Sequence, residues 1–241
     1  MELKILGKYG PFPKADGGTS SYLLKAGNKN ILLDAGEGSF SRLVKEIPPE
    51  NLYAIIISHS HADHTADLGV LSYYFEFLSR SGKKFDKPYL FAFDDGSDII
   101  ANAIRSPYFN AIVISDGFKF EDDITFEFTA LSHPAVDHGV KIKCGGKTFA
   151  YTGDTNVCGP LENFVCDSDV FLADGGFLFK DWNENKPHLS VYHVSELSKK
   201  CGNKSIITHF NPFYNEGDIF AEAKRAGGNF IIAQEGETYE L

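Results

Sequence analysis

Apolar and polar positions along the chain follow two periods. Short apolar runs and two-residue alternation mark strands, whereas spacing near 3.6 marks helices. Residues 22–25 and 31–33 are apolar-rich runs on either side of Ala26-Gly27-Asn28-Lys29, which predicts a β-hairpin. Residues 53–58 form a continuous apolar run, the pattern of a strand buried on both faces. Leu68, Leu71, Tyr74, Phe75 and Leu78 then fall at helical spacing, which predicts a helix over 63–78 with Gly82 just beyond its end.

The same theme continues. Residues 88–93 predict a strand and 98–105 a helix. Residues 118–121 and 124–131 pair around Asp122-Asp123, and 141–144 and 148–151 around Gly145-Gly146. A strand is predicted over 170–173. Ser190 can cap a helix over 191–201 that Gly202 stops. Residues 205–210 read as a strand, 216–226 as a helix and 230–233 as a last strand. Lys25-Ala26-Gly27-Asn28-Lys29 precedes a run ending at Asp34, and Lys143-Cys144-Gly145-Gly146-Lys147 precedes one ending near Asp154. This echo, with no Pro- or Ser-rich linker, predicts one domain over residues 1–241 with two similar halves.

The chain has 241 residues, 43% of them hydrophobic, enough for a sizeable core. Its formal charge of −10 repels phosphate backbones and disfavours long nucleic acid as a partner, which points to a small-molecule substrate. The N-terminal residues lack a signal-peptide pattern, and no apolar run is long enough to span a membrane. A soluble, cytoplasmic protein without membrane association is expected. Cys144, Cys158, Cys166 and Cys201 form no CxxC motif, and four free thiols are expected.

Chemistry concentrates in Ser58-His59-Ser60-His61-Ala62-Asp63-His64. Three of the eight histidines and one carboxylate stand within six residues, directly after a buried strand. Neutral imidazole is a common metal ligand and suits zinc. Six residues are too crowded to complete a coordination sphere alone, so partners must come from elsewhere. His133, Asp154 and His209 each follow a predicted strand. Together the set offers seven ligands, enough for two metals that share one carboxylate.

His59-x-His61-x-Asp63-His64, then His133, Gly153-Asp154-Thr155 and Thr208-His209-Phe210, resemble the ordered motifs of metallo-β-lactamase-fold hydrolases. Within that family they are most similar to the ribonuclease Z and phosphodiesterase branch. The resemblance runs from the first hairpin to His209. It implies an α/β fold, a four-layer αββα sandwich. It implies two divalent metal ions, zinc first, with manganese or iron admitted by the same ligands. His59, His61 and His133 would hold one ion, Asp63, His64 and His209 the other, and Asp154 would bridge them. A hydroxide shared by the ions would be the nucleophile. Asp63 could also orient or deprotonate that water. His188, in Pro187-His188-Leu189-Ser190, matches a non-ligand histidine of the ribonuclease Z branch and is the candidate proton donor to the leaving group.

Departures from the family patterns sort the substrates. Ribonuclease Z carries a long arm for transfer RNA between the third-histidine motif and the bridging aspartate. Here 21 residues separate His133 from Asp154, which leaves room only for a hairpin. Common class B β-lactamases lack the histidine at His64 and use a cysteine ligand. Glyoxalase II-like thioesterases share the first motif, but Thr208-His209-Phe210 with His188 upstream looks more like the phosphodiesterase branch. The leading expectation is a cytosolic phosphodiesterase on small phosphodiesters, cyclic nucleotides or similar compounds among them. The alternatives are a thioesterase or lactonase, a transfer RNA 3′-end endonuclease, and a binding protein with a vestigial site. The resembling branch also admits a homodimer. His138 and His193 read as structural, Asp34 and Asp174 as supports beside the site. Phe12, Tyr108, Phe109 and Phe213 are candidates for a substrate rim or for the core.

Overall fold

The computed structural model describes residues 1–241. One sheet is formed by β1 (Glu2–Gly7), β2 (Ser21–Ala26), β3 (Lys29–Leu33), β4 (Leu52–Ile56), β5 (Tyr89–Ala92) and β6 (Asn110–Val113). The second contains β7 (Lys119–Glu121), β8 (Thr125–Leu131), β9 (Asp137–Cys144), β10 (Lys147–Tyr151), β11 (Val170–Asp174), β12 (Lys204–Thr208) and β13 (Asn229–Ile232). The last strand, β14 (Thr238–Glu240), returns to pair with β1. The two sheets therefore have seven strands each, ordered β14-β1-β2-β3-β4-β5-β6 and β13-β12-β11-β10-β9-β8-β7.

The sheets repeat one plan. An antiparallel hairpin, β2–β3 or β9–β10, is followed by three parallel steps. The first hairpin turns at Gly27 (φ 59°) and the second at Gly145-Gly146 (φ 59° and 77°), conformations in which a side chain would be strained. The sequence echo around these turns marks this repeat.

Alternation along the central strands buries both faces. Leu32, Ile55 and Leu90 join one cluster with Leu43, Leu71, Phe75, Leu78 and Ile100. These come from α1 (Ser39–Glu46), α3 (Leu68–Arg80) and α4 (Asp98–Arg105), which cover the first sheet. Ile31, Leu33, Ala54, Ile56 and Phe91 point the other way, into the larger cluster between the sheets. The outer face of the second sheet is covered by α5 (Leu161–Cys166), α6 (Val191–Cys201) and α7 (Glu216–Ala226). Phe164, Val194 and Ala223 from these helices join the same cluster. The result is the expected αββα sandwich.

Local signals explain several boundaries. Ser190 caps α6 by accepting the N–H of His193, and Gly202 closes it at φ 71°. The helix expected over 63–78 is instead two, a short α2 (Ala62–Thr65) and then α3. Asp67 causes the break: its N–H reaches the Ala35 carbonyl at 2.9 Å, and its carboxylate accepts the Phe40 N–H at 2.9 Å. The strand expected over 205–210 stops at Thr208, because His209 turns into the left-handed region at φ 59°. No helix is long and apolar enough to cross a membrane.

Four free thiols were expected, and the structure corrects this. Cys166 and Cys201 form a disulfide, while Cys144 and Cys158 are free. The C-terminal ends of α5 and α6 converge, bringing Cα atoms 35 residues apart in sequence to within 4.8 Å.

Phe91 is the aromatic centre of the sandwich. From the first sheet it meets Phe120, Phe126 and Phe128 of the second at ring-centroid distances of 5.1, 5.2 and 5.8 Å. Phe91→Ala is expected to cost about 3–5 kcal/mol through lost transfer energy and the cavity left behind. A denaturant midpoint at unchanged slope measures this. A loss below about 1 kcal/mol would show that the sheets dock independently of this ring.

Candidate metal centre

The first motif begins where β4 ends. Ser58 is fixed by Asp34, which follows β3: its N–H donates to Asp34 Oδ1 at 2.7 Å and its hydroxyl to Oδ2 at 2.9 Å. His59, His61, Asp63 and His64 then lie on the loop and on α2. His133 follows β8, Asp154 follows β10 and His209 follows β12. All seven expected residues meet at one end of the sandwich. His59, His61, His133 and Asp154 offer ligand atoms within 4.8 Å of one another, and so do Asp63, His64, Asp154 and His209. Asp154 belongs to both groups.

The nitrogens have a defined orientation. His59 turns Nδ1 to Asp137 Oδ1 at 3.1 Å, His64 turns Nδ1 to Asp34 Oδ2 at 2.7 Å, and His133 donates from Nδ1 to the Pro187 carbonyl at 3.1 Å. His209 pairs Nδ1 with the Ser20 hydroxyl at 2.9 Å. The carboxylate and carbonyl contacts favour the proton on Nδ1 of His59, His64 and His133, the Ser20 contact holds the His209 ring by the same nitrogen, and in each case the other nitrogen is aimed inward, the arrangement of metal-ligating histidines. The Nε2 atoms of His59 and His133 approach His61 Nδ1 at 3.0 and 3.1 Å. His61 Nδ1 carries one hydrogen at most, so it cannot serve both lone pairs. A cation among the three nitrogens can. In the second group His64 Nε2 and Asp154 Oδ1 are buried without a hydrogen-bond partner, again what an ion would satisfy. The residues present therefore fit two divalent ions.

Burial and neighbouring charge set the protonation states. Burial pushes His59 and His133 down to about 4, so both are neutral, the ligand form, at pH 7. Burial also pushes His209 well below its ordinary value. Burial opposes charge on His64 too, but Asp154 and Asp34 outweigh it and raise the imidazole. Asp154 is held well below the carboxylate range: burial opposes ionisation, and His209, His64 and His188 overcome it. Burial raises Asp63.

His188 lies beside this centre. Its Nδ1 is 2.8 Å from Asp174 Oδ2 and 3.7 Å from Asp154 Oδ2. Burial would lower its pKa, but Asp174 and then Asp154 raise it to about 9, so the ring is protonated at neutral pH. Asp174 ends β11, and its other oxygen accepts the Gly176 N–H at 2.8 Å. Asp34 and Asp174 thus stand as the supports expected of them. His138 is buried and stacks on Phe93, and His193 completes the cap of α6, so both are structural.

Sequence reasoning missed three residues here. Asp137, at the start of β9, orients His59 and accepts the Asp154 N–H at 3.2 Å. It also explains Gly153, because a Cβ there would lie 2.3 Å from Asp137 Oδ1. Asn156 and Trp182 hold the loop of His188: Trp182 Nε1 donates to the His188 carbonyl at 3.0 Å and to Asn156 Oδ1 at 3.1 Å. Nothing in their local sequence signals either role.

A β-sandwich clad by helices, with two His/Asp groups sharing one carboxylate at its strand ends, defines a metallo-hydrolase of the metallo-β-lactamase fold. The chain belongs to the β-lactamase superfamily: residues 29–210 match the family described as "Beta-lactamase superfamily domain". It is 26% identical over 243 residues to "Probable metallo-hydrolase YhfI" of Bacillus subtilis (strain 168), covering all of both chains. The crystal structure of the metallo-β-lactamase fold protein YhfI superposes with a TM-score of 0.88 at 25% identity, over 99% of this chain and 98% of that one. A ribonuclease Z of Methanosarcina mazei is 21% identical over 98% of this chain and 96% of its own length. A diphosphatase of the PhnP family shares the fold, with a TM-score of 0.75 at 14% identity over 100% of this chain and 97% of that one. As the sequence spacing required, the segment from His133 to Asp154 holds only β9, the Gly145-Gly146 turn and β10. There is no arm.

Asp34 receives Ser58, His64 and Tyr151 together. Asp34→Ala leaves all three buried groups without their acceptor. A loss of about 3–5 kcal/mol in chemical denaturation is expected, with lower metal occupancy because His64 loses its fixed tautomer. Near-wild-type stability and metal content would refute this role.

Proposed function

We propose that this chain is a dinuclear metal-dependent phosphodiesterase acting on small phosphodiesters. The observation that carries the reading is Asp154, shared by two ligand groups and flanked by the His188–Asp174 pair. His59, His61, His133 and Asp154 would hold one ion, and Asp63, His64, Asp154 and His209 the other. Two divalent ions there, with zinc favoured by the imidazole-rich set, would supply Lewis acidity and a water deprotonated near neutral pH.

The chain's own residues do the rest. Asp63 is oriented towards the second group, its Oδ2 3.7 Å from His64 Nε2 and 3.8 Å from His209 Nε2. From there its carboxylate can orient the attacking water and accept its proton. As the new P–O bond forms and the P–O bond to the leaving alkoxide breaks, the alkoxide needs a proton. His188 holds one, and Asp174 fixes the ring so that Nε2 faces away from the Asp174 contact. The products are a phosphomonoester and an alcohol. The absence of an arm and the charge of −10 support a small substrate over transfer RNA.

Metal-replete protein is expected to hydrolyse bis(p-nitrophenyl) phosphate, and Asp154→Ala to lose both metal and turnover. Wild-type activity no greater than that of the Asp154→Ala control would sink the proposal. Thioester and lactone substrates run on the same preparation separate the alternative chemistry.

His188→Ala is expected to keep the metal content and to lower turnover by about 10²-fold or more on a phosphodiester with an alkoxide leaving group. The loss should be smaller for p-nitrophenolate, which leaves with little acid assistance. Asp154, Asp174, His188 and His209 also lie close enough to share an ion. If His188→Ala lost metal, His188 would be a ligand rather than the acid.

A further inference from the structure

Among the four aromatic residues considered for a substrate rim, Phe109 is buried in the outer core and Tyr108 packs against that core. Phe12 and Phe213 do neither. They are 44% and 84% exposed, yet their rings meet edge to face at 5.5 Å. An edge-to-face pair leaves ring faces open to solvent.

Both rings stand on segments tied to the metal centre. Gly10, two residues before Phe12, lies against the inward edge of His209: a Cβ on Gly10 would sit 2.1 Å from His209 Nε2. Phe213 follows His209 by four residues. The two segments are joined at three points. Phe210 N–H donates to the Lys8 carbonyl at 2.9 Å, Gly10 N–H donates to the Phe210 carbonyl at 3.2 Å, and Lys14 Nζ donates to the Tyr214 carbonyl at 3.2 Å. Pro11 and Pro13 flank Phe12, and Pro212 precedes Phe213. Proline restricts the backbone before any ligand arrives, so the rings are held in place without a core around them. The Asn211 side chain adds a further restraint by accepting the Phe213 N–H at 3.0 Å. Two residues of chain span at most about 7 Å, so Phe12 lies within the length of a nucleotide from the His209 edge.

We propose that Phe12 and Phe213 form a ring-binding subsite that selects phosphodiesters carrying a flat aromatic ring, of the nucleobase kind, over alkyl phosphodiesters. The phosphodiester sits at the metal centre and its ring stacks on the exposed phenyl faces. Stacking needs no base-specific hydrogen bond, so the subsite accepts different bases. The proposal rests on the phosphodiesterase reading for its catalytic consequence, but ring binding itself can be measured without turnover.

The test compares thymidine 5′-(p-nitrophenyl) phosphate with methyl p-nitrophenyl phosphate, which share a leaving group and a readout. Wild-type protein is expected to prefer the thymidine ester in kcat/KM. Phe213→Ser and Phe12→Ser should each lower kcat/KM for that ester about tenfold, equivalent to about 1.4 kcal/mol, while the methyl ester changes less than about twofold. Phe213→Trp should keep the preference. Equal losses on both esters, or no loss on either, overturn the subsite. Calorimetric titration with thymidine 5′-monophosphate supplies the second measurement, and Phe213→Ser should weaken binding by a similar factor. If neither ester is hydrolysed by wild-type protein but this weakening is found, the subsite stands and the phosphodiesterase reading falls. Unchanged thymidine 5′-monophosphate affinity in Phe213→Ser rejects the subsite.

Discussion

One oxygen of Asp154 lies 3.2 Å from His64, 3.3 Å from His209 and 3.7 Å from both His59 and His188. Nearly all of these groups are buried. Taking a carboxylate and several imidazoles out of water is costly unless their charges and lone pairs are matched. Protons achieve only part of that match, because His61 Nδ1 faces two lone pairs and His64 Nε2, although 3.2 Å from an Asp154 oxygen, makes no hydrogen bond. The chain has nevertheless assembled this cluster, and it holds the outer nitrogens of His59, His64, His133 and His209 with separate partners. Such an arrangement is disfavoured as a packing device and favoured as a ligand set, because an ion satisfies the inward atoms together.

The supports run across the sandwich. His59 follows a strand of the first sheet, and its partner Asp137 starts a strand of the second. His209 follows a strand of the second sheet, and its partner Ser20 stands just before β2 of the first. Asp34 follows β3 and accepts the hydroxyl of Tyr151 on β10. The ring orientations therefore depend on the docking of the two sheets, and the Phe91 contacts maintain that docking. The core and the centre are one problem in packing: a shift of the sheets moves ligands and supports in opposite directions. The left-handed conformation of His209 fits this view, since a non-glycine residue holds φ 59° only when its surroundings over-determine it.

What could be read from the sequence follows the range of each signal. The histidine cluster is dense and local, and α6 announces itself through Ser190 and Gly202, so both were legible. The hairpins around Gly27 and Gly145-Gly146 were legible because their turns demand residues of that kind. By contrast, α1 has only eight residues and buries only Ser39 and Leu43, and β6 and β14 are edge strands of four and three residues, so each offers too short a window for its pattern to stand out. Asp137 is a lone aspartate whose role exists only once β9 lies beside β4's end. Asn156 and Trp182 act through contacts 26 residues apart, and the Cys166–Cys201 disulfide joins helices 35 residues apart. Long-range contacts of this kind leave no mark in a single local window. The break in the helix over 63–78 has the same origin, because Asp67 is drawn to the start of α1 rather than to its own helix.

Selectivity has a different physical source from metal binding. The candidate ligands stand at strand ends that the sandwich fixes, and relatives with little sequence identity superpose over the whole chain. The substrate meets the loops between those ends. Here the second hairpin is closed by two glycines and projects no arm. What remains near the centre is a short rim: the segment from Lys8 to Lys14, the residues after His209, and the loop that carries His188. The first two are braced by proline and tied to each other, and the third is pinned by Trp182 and Asn156. A rim restrained in this way pays little ordering entropy when it meets a ligand, so small differences in substrate shape are converted into differences in affinity rather than absorbed by loop motion. The side chains that stand on the rim can then vary while the site beneath it stays the same.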